Sequence, residues 1–307
     1  MKKFLDEKIT AKGEKRAWVT LNNLKTLWFN TGTQCNLSCS NCYIESSPTN
    51  DRLVYITTDD VTPYLQEITK EEYKTELIAF TGGEPFLNPS MISILRESLK
   101  TGIDVLVLTN AYRVLKRHEA NLLELKDIYG DKFHLRISLD HYTKEIHERE
   151  RGDKTFVRTL EQIKWLFDNG FKISIAGRSL LEEDQETALS GYQNLMNEYR
   201  IGLNLKELDN IVIFPEMNAG EDVPEITIDC WGILSKSPDD QMCASERMIV
   251  KRKGSETPVV LPCTLIAYDE SFELGSTLKE SNKDVYLNHP FCAKFCVLGG
   301  ASCSSAK

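Results

Sequence analysis

Nine cysteines occur in this chain of 307 residues, and three of them fall within residues 35–42 as Cys35-x3-Cys39-x2-Cys42. Thiolates at this spacing, on a loop that follows a predicted strand, can ligate three irons of a four-iron four-sulfur cubane. The fourth iron is then open to a ligand that the protein does not supply. Zinc is the alternative, but a structural zinc ion usually has four protein ligands. The spacing therefore favours an iron–sulfur cluster.

A second group of cysteines lies near the other end of the chain. Its members are Cys230, Cys243, Cys263, Cys292, Cys296 and Cys303, and no cysteine lies between residues 43 and 229. An odd total excludes complete disulfide pairing in a monomer, and clustered cysteines in a cytoplasmic protein more often bind metal or do redox work. Cys243 and Cys263 flank a predicted β-hairpin that turns near Lys253.

Strands and helices alternate between the two cysteine groups. Apolar runs predict strands at 24–30, 77–81, 104–109, 133–140, 172–176 and 210–214. Helical periodicity predicts helices at 59–69, 89–101, 115–128, 156–169 and 183–198. Six such repeats favour an α/β fold, a (βα)6 barrel or part of one, with parallel strands and right-handed crossovers.

Polar and glycine-rich segments follow several of these strands. The cysteine loop, the Gly82-Gly83-Glu84 turn, Asn110 and Asp140 each stand at the carboxyl end of a predicted strand. Active sites of βα-barrels lie at that end of the strands. The sequence therefore predicts one site that combines these features.

Three segments resemble the radical S-adenosylmethionine (SAM) superfamily. They are CNLSCSNCY at 35–43, TGGEP at 81–85 and ISLD at 137–140, and the resemblance covers roughly residues 24–215. It implies a partial TIM-type barrel in which Cys35, Cys39 and Cys42 hold a [4Fe–4S] cluster. Reductive cleavage of SAM there would release a 5′-deoxyadenosyl radical that abstracts hydrogen from a substrate.

The resemblance also implies which residues bind SAM. These are Tyr43, Gly82, Gly83, Glu84, Asn110, Ser138, Arg151 and Pro215. The glycine turn with Glu84 would hold the methionine amino group, and Asn110 and Ser138 would contact the ribose or the methionine. Arg151 would bind the carboxylate, with Arg149 as its rival in the HERERG segment. Tyr43 and the strand end at 214–216 would flank the adenine.

The second cysteine group resembles the twitch domain, and less closely the SPASM domain, of radical SAM enzymes. These small cysteine-rich domains carry auxiliary iron–sulfur clusters. The implied ligands are Cys243, Cys263, Cys292 and Cys296, with Cys303 as an alternative to Cys296. A zinc site or free thiols are the other interpretation. Cys230 is either a buried small apolar residue or a hydrogen-atom donor to a substrate radical.

Composition and charge limit the function classes. The formal net charge is -9, which argues against nonspecific nucleic-acid binding. The amino terminus lacks the apolar segment of a signal peptide, and no apolar run is long enough to span a membrane, so we expect a cytoplasmic protein. We expect three parts: an extension at 1–23, the barrel at 24–215 and an auxiliary-cluster domain at 216–307.

Two kinds of substrate fit this interpretation. We favour oxidation or rearrangement of a small polar metabolite, because only about 23 residues precede the first barrel strand. Modification of a ribosomally made peptide or protein is the alternative, and a zinc-binding interaction module is the non-enzymatic one. The resemblance further implies a flavodoxin or ferredoxin-type electron donor.

Overall fold

The computed structural model describes residues 2–70, 73–179, 183–207, 209–215 and 222–299. Within them an eight-stranded sheet forms the centre of the molecule, in the order β7-β6-β5-β4-β3-β2-β8-β9. Its strands are β2 (Thr26–Asn30), β3 (Leu77–Thr81), β4 (Asp104–Thr109), β5 (Phe133–Ser138), β6 (Lys172–Ser179), β7 (Ile211–Pro215), β8 (Glu246–Val250) and β9 (Val259–Leu261). A separate antiparallel pair joins β1 (Trp18–Val19) to β10 (Val285–Tyr286).

Strands β2 to β7 pair in parallel, each with its neighbour in sequence. The helices are α1 (Thr58–Ile68), α2 (Met91–Lys100), α3 (Glu119–Tyr129), α4 (Lys144–Arg151), α5 (Thr155–Asp168), α6 (Gln185–Glu198) and α7 (Cys230–Leu234). The apolar residues of one strand face, such as Phe80 and Val107, share a core with helix residues such as Leu95 and Leu160. This arrangement is the α/β partial barrel that the alternating pattern predicts.

The opposite strand faces meet the carboxyl-terminal part of the chain. Trp28, Ala79 and Leu106 from three barrel strands belong to one buried cluster with Met248 and Ala293. Residues that follow the barrel in sequence therefore pack against its inner strand faces, together with residues from the amino-terminal part such as Val19. This packing removes apolar surface on both faces of the parallel strands from water.

The predicted hairpin between Cys243 and Cys263 is confirmed. Strands β8 and β9 pair antiparallel, with Met248 opposite Leu261. Strand β8 also pairs in parallel with β2, placing Thr26 opposite Glu246. The hairpin thus continues the barrel sheet, and the division at residue 216 into a separate auxiliary domain stays a prediction.

Helix α4 has no counterpart among the predicted elements. Its sequence, KEIHERER, carries one large apolar residue, so no apolar stripe marks it. The structure nevertheless buries His147 and Glu150 on it. None of the helices in the described ranges has the length and apolar character that spanning a membrane requires.

Candidate active site

A cavity of about 180 Å³ lies at the carboxyl ends of the barrel strands. The predicted site residues in its wall are Cys35, Cys39, Cys42, Tyr43, Gly82, Gly83, Asn110, Ser138 and Arg151. Its lining, as far as the described residues go, does not include Glu84 or Cys230. Pro215 ends β7 next to Phe214, which lines the cavity. The segments chosen from sequence therefore do meet at one end of the barrel.

The three residues of the first cysteine group line this cavity, and hydrogen-bond donors lie near the sulfur atoms of two of them. The Leu37 N–H lies 3.4 Å from Cys35 Sγ, and the Ser46 N–H lies 3.3 Å from Cys42 Sγ. The Asn110 side-chain amide approaches Cys35 Sγ at 3.6 Å. Hydrogen bonds of this kind stabilise sulfur that carries negative charge, as in a ligated cluster. The donor set thus fits an iron–sulfur cluster.

Burial disfavours ionisation of the free Cys35 thiol. It raises the pKa of Cys35 to about 12, with the Glu84 carboxyl as a further cause. A metal centre must therefore displace a tightly held proton when it binds this cysteine.

Helix α4 and the loop after β4 hold the cysteine loop in place. Glu150, which is buried, accepts hydrogen bonds from Ser40 Oγ at 2.6 Å and from Asn41 Nδ2 at 2.9 Å. On the other side, Asn36 Nδ2 donates to the Tyr112 carbonyl at 2.7 Å. Glu150 was not predicted, because a carboxylate in a charged run is ordinarily expected on the surface.

The glycine turn is fixed by close approach of two backbone segments. A Cβ added to Gly83 would lie 2.0 Å from the Gln34 carbonyl oxygen. At Gly82, whose φ is +140°, an added Cβ would lie 2.5 Å from the Gly32 carbonyl oxygen. No larger residue fits at either position without moving the backbone that leads into the cysteine loop.

Glu84 lies behind this turn. Its carboxylate accepts hydrogen bonds from Thr109 Oγ1 and the Asn110 N–H at 2.9 Å and from the Phe86 N–H at 3.2 Å. Burial raises its pKa to about 7 even though these donors oppose the shift. Here Glu84 ties the end of β3 to the end of β4, and the predicted contact with the SAM amino group stays a prediction.

Arg151 forms a two-pronged ion pair with Asp140. Its Nε and Nη2 atoms lie 2.7 and 2.9 Å from the two Asp140 carboxylate oxygens. Burial alone would raise the pKa of Asp140, but Arg151 holds it below its usual value. The rival Arg149 is exposed, with 58% of its side-chain surface accessible. Of the two arginines, Arg151 is therefore the one in the cavity wall.

Arg178 is a cavity residue that the sequence analysis missed. It is the second-to-last residue of β6, two residues beyond the end of the predicted strand at 172–176. Its Nη2 donates to the Asn41 carbonyl at 2.8 Å, which connects β6 to the cysteine loop. A cation at the carboxyl end of a barrel strand was the available signal.

Residues from the carboxyl-terminal part complete the wall. Leu265 and Phe295 line the cavity together with Phe214, and the Phe214 and Phe295 rings stack with centroids 6.4 Å apart. Sequence reasoning did not identify Leu265 or Phe295, because nothing local marks them as part of a barrel site.

Three cysteines of the second group lie in one buried region. Cys243, Cys263 and Cys292 belong to the same core cluster, and Cys296 packs against it. Burial, and then the neighbouring Cys263, raises the pKa of Cys243 to about 12. The half-buried Cys230 accepts a hydrogen bond from the Thr227 N–H, and its sulfur lies 3.4 Å from the Thr227 hydroxyl. Cys303 lies outside the described residues. No group of three His, Cys, Asp or Glu side chains in the described ranges forms a ready site for a single metal ion.

A family model described as the Radical SAM superfamily matches residues 29–187, just over half of the chain. The chain belongs to this superfamily. Membership in the superfamily implies that the protein binds one [4Fe–4S] cluster and SAM. It also supports the interpretation as an enzyme over that as a zinc-binding module. It also accounts for the mostly parallel sheet described above.

Two curated relatives from Bacillus subtilis (strain 168) match part of this radical SAM chain. The antilisterial bacteriocin subtilosin biosynthesis protein AlbA is 35% identical over 144 residues, which are 47% of this chain and 30% of AlbA. The putative peptide biosynthesis protein YydG is 37% identical over 79 residues, which are 25% of this chain and 23% of YydG. The matched regions thus span less than a third of either relative.

Solved structures share the fold. Streptococcus suis SuiB bound to its precursor peptide SuiA has a TM-score of 0.61 at 13% identity, over 92% of this chain and 67% of that one. Native anSMEcpe with bound AdoMet has a TM-score of 0.61 at 16% identity, over 88% of this chain and 83% of that one. These likenesses support the radical SAM fold. The comparisons favour the peptide alternative over the small-metabolite interpretation, and leave the auxiliary domain a prediction.

Proposed function

We propose that this protein modifies a ribosomally made peptide in a reaction that begins with reductive cleavage of SAM. The observation that carries the proposal is the 35% identity to AlbA, a bacteriocin biosynthesis protein, across 144 residues. YydG, a putative peptide biosynthesis protein, and SuiB, solved with a precursor peptide, support the same substrate class.

The first cysteine group would hold the cluster. Cys35, Cys39 and Cys42 all line the cavity, and the N–H groups of Leu37 and Ser46 point at two of the sulfurs. When bound, the cluster and SAM together supply a 5′-deoxyadenosyl radical that can abstract hydrogen from an unactivated carbon. Three thiolate ligands would leave one iron of the cluster without a protein ligand and so open to SAM.

The chain's own residues orient SAM and limit the access of water. Gly82 and Gly83 contribute only backbone to the cavity wall. Polar residues of the same wall are Ser138, Asn110 and Arg151. Phe214, Leu265 and Phe295 make an apolar side of the cavity. An apolar wall suits radical chemistry, because it excludes water from a reactive intermediate.

A second, auxiliary [4Fe–4S] cluster belongs to the proposal. Cys243, Cys263 and Cys292 would be three of its ligands, and either Cys296 or Cys303 the fourth. Support comes from the proximity of Cys243, Cys263 and Cys292 to one another. Burial is the main cause that raises the pKa of the Cys292 thiol, and the neighbouring Cys263 and Cys243 raise it further. The cluster would ligate the substrate peptide or accept an electron from it, and a flavodoxin or ferredoxin-type protein would supply the electron for SAM cleavage.

One anaerobic experiment tests the substrate class. The reconstituted protein is incubated with SAM and dithionite, with or without short peptides encoded beside its gene, and with a panel of small polar metabolites. We expect 5′-deoxyadenosine in all cases and a mass change only in a peptide. A control with Cys35, Cys39 and Cys42 changed to Ala should form neither product. A mass change in a metabolite alone would reject the peptide proposal, and zinc without iron or sulfide would reject radical chemistry.

A further inference from the structure

Arg178 reaches across the cavity to the cysteine loop. Its backbone N–H donates to the Asp140 carbonyl at 3.1 Å, which fixes the base of the side chain on β6. The guanidinium Nη2 then donates to the carbonyl of Asn41 at 2.8 Å. Asn41 stands between Cys39 and Cys42, so this bond holds the part of the loop that separates two cluster ligands.

Arg178 and its neighbour Arg151 differ in whether a carboxylate pairs with the guanidinium. Arg151 is matched by the carboxylate of Asp140 through two short hydrogen bonds. The side chain of Arg178 bonds to a neutral carbonyl, and no carboxylate in the described ranges lies within ion-pair distance of it. The charged side chains in the described cavity wall are those of Asp140, Arg151 and Arg178, so two cations face one carboxylate there.

The Arg178 charge lies in the wall of the cavity that the three cysteines also line. Arg178 lines the cavity together with Cys35, Cys39 and Cys42, and the carbonyl to which it donates belongs to Asn41, two residues after Cys39 and one before Cys42. Reduction adds one electron, and so one negative charge, to the group that the three cysteines hold. A nearby unpaired cation in a largely buried site favours the more negative state.

We propose that Arg178 is a positioning residue that ties the Cys39–Cys42 segment to strand β6 and stabilises the reduced form of the cluster. The inference rests on the proposed function, because it requires a redox-active cluster on the first cysteine group. In the step concerned, an external reductant loses one electron and the cluster gains it. No bond forms or breaks at Arg178, and no proton moves.

The test measures the midpoint potential of the cluster in Arg178→Gln and Arg178→Lys. The probe is dithionite with redox mediators, and the relevant cluster is the one whose electron paramagnetic resonance signal changes when SAM is added. We expect Arg178→Gln to lower the ratio of reduced to oxidised cluster at a given potential about tenfold, a shift of about 59 mV for a one-electron couple. Arg178→Lys keeps the charge and should stay near the parent value.

Arg113→Gln is the matched control. Its guanidinium is exposed and lies over the Tyr112 ring, 4.8 Å from the centroid, outside the cavity wall. This variant should keep the parent potential and iron content.

Three results would decide against the inference. The first is an iron-loaded Arg178→Gln protein with the parent potential. The second is a fall in potential of equal size in Arg113→Gln. The third concerns the case in which Arg178→Gln binds no iron. If Arg178→Lys then also binds none, Arg178 supplies packing and not charge. A parent protein that neither binds a cluster nor cleaves SAM rejects the proposed function instead.

Discussion

The Glu84 carboxylate accepts a hydrogen bond from the backbone N–H of Asn110, with 2.9 Å between the oxygen and the nitrogen. The side chain of the same Asn110 approaches Cys35 Sγ at 3.6 Å. The glycine turn after β3, the end of β4 and the first cysteine are therefore joined by consecutive hydrogen bonds. A change at Glu84 should reach the cluster site through Asn110.

Glu84 should make stability depend on pH. Burial raises its pKa from 4.5 to about 7, so the folded state favours the protonated acid more than the unfolded state does. Its contribution is fully present below the unfolded pKa and is lost as the pH rises through the folded value, by about 3 kcal/mol in total. Urea unfolding of the cluster-free parent and of Glu84→Gln, at about pH 5 and about pH 8, measures the difference. A pH-independent difference between the two proteins would show that the three donors keep Glu84 ionised.

Removing the Glu84 carboxylate should also weaken SAM binding. Glu84→Ala removes the predicted acceptor for the SAM amino group, and it also leaves Thr109, Asn110 and Phe86 without the carboxylate that holds them beside the proposed SAM site. We expect at least about tenfold weaker SAM affinity in the cluster-loaded protein, measured by calorimetry. Glu97→Ala, at a partly exposed helix position outside the described cavity wall, should bind SAM as the parent does. Unchanged affinity in a folded Glu84→Ala protein would limit Glu84 to a role in folding.

The first cysteine group should account for half of the iron and all of the SAM cleavage. We expect about eight irons in the parent protein and about four after Cys35, Cys39 and Cys42 are changed to Ala, because each cubane holds four. Iron and sulfide analysis with chromatography of 5′-deoxyadenosine checks both. About four irons in the parent would contradict the auxiliary cluster, and undiminished cleavage in the triple variant would contradict the assignment of the SAM cluster.

The second group should matter for the peptide product and not for SAM cleavage. Replacing Cys243 and Cys263 by Ala should retain uncoupled 5′-deoxyadenosine formation while the modified peptide disappears. Because both thiols are buried and metal binding contributes to folding, the variant must first be shown to be folded and loaded with about four irons. Cys230→Ala is the matched control, since Cys230 is absent from the described cavity wall, and it should still form product. Loss of product in Cys230→Ala would instead support its role as a hydrogen-atom donor.

The Asp140–Arg151 pair should stabilise the fold. Asp140→Asn leaves the largely buried Arg151 charge without its partner, and we expect a loss of about 3 kcal/mol in the free energy of unfolding. Asp168→Asn removes an exposed pair with Lys164 and should cost less than about 1 kcal/mol. Urea unfolding near neutral pH compares them. Equal losses of unfolding free energy in Asp140→Asn and Asp168→Asn would mean that water in the cavity solvates Arg151 well enough without Asp140.

The sequence alone determined the features that depend on local patterning. Apolar runs located the six strands β2 to β7, since a strand buried on both faces reads as an unbroken apolar segment. Cysteine spacing identified the loop that we propose holds the cluster, and the order of strands placed the glycine turn and Asn110 at the same end of the barrel. Each of these inferences needs only the residues of one segment and the rule that parallel strands end together.

Tertiary structure alone decided which charges and surfaces meet in the site. Glu150 is buried under the cysteine loop, and Arg178 reaches that loop from β6, because long-range packing outweighs the ordinary preference of charged residues for solvent. The same packing places Phe295, which follows the barrel by 80 residues of sequence, against Phe214 in the cavity wall. No local periodicity encodes such contacts, since they depend on how the carboxyl-terminal part fills the barrel and not on the residues beside them.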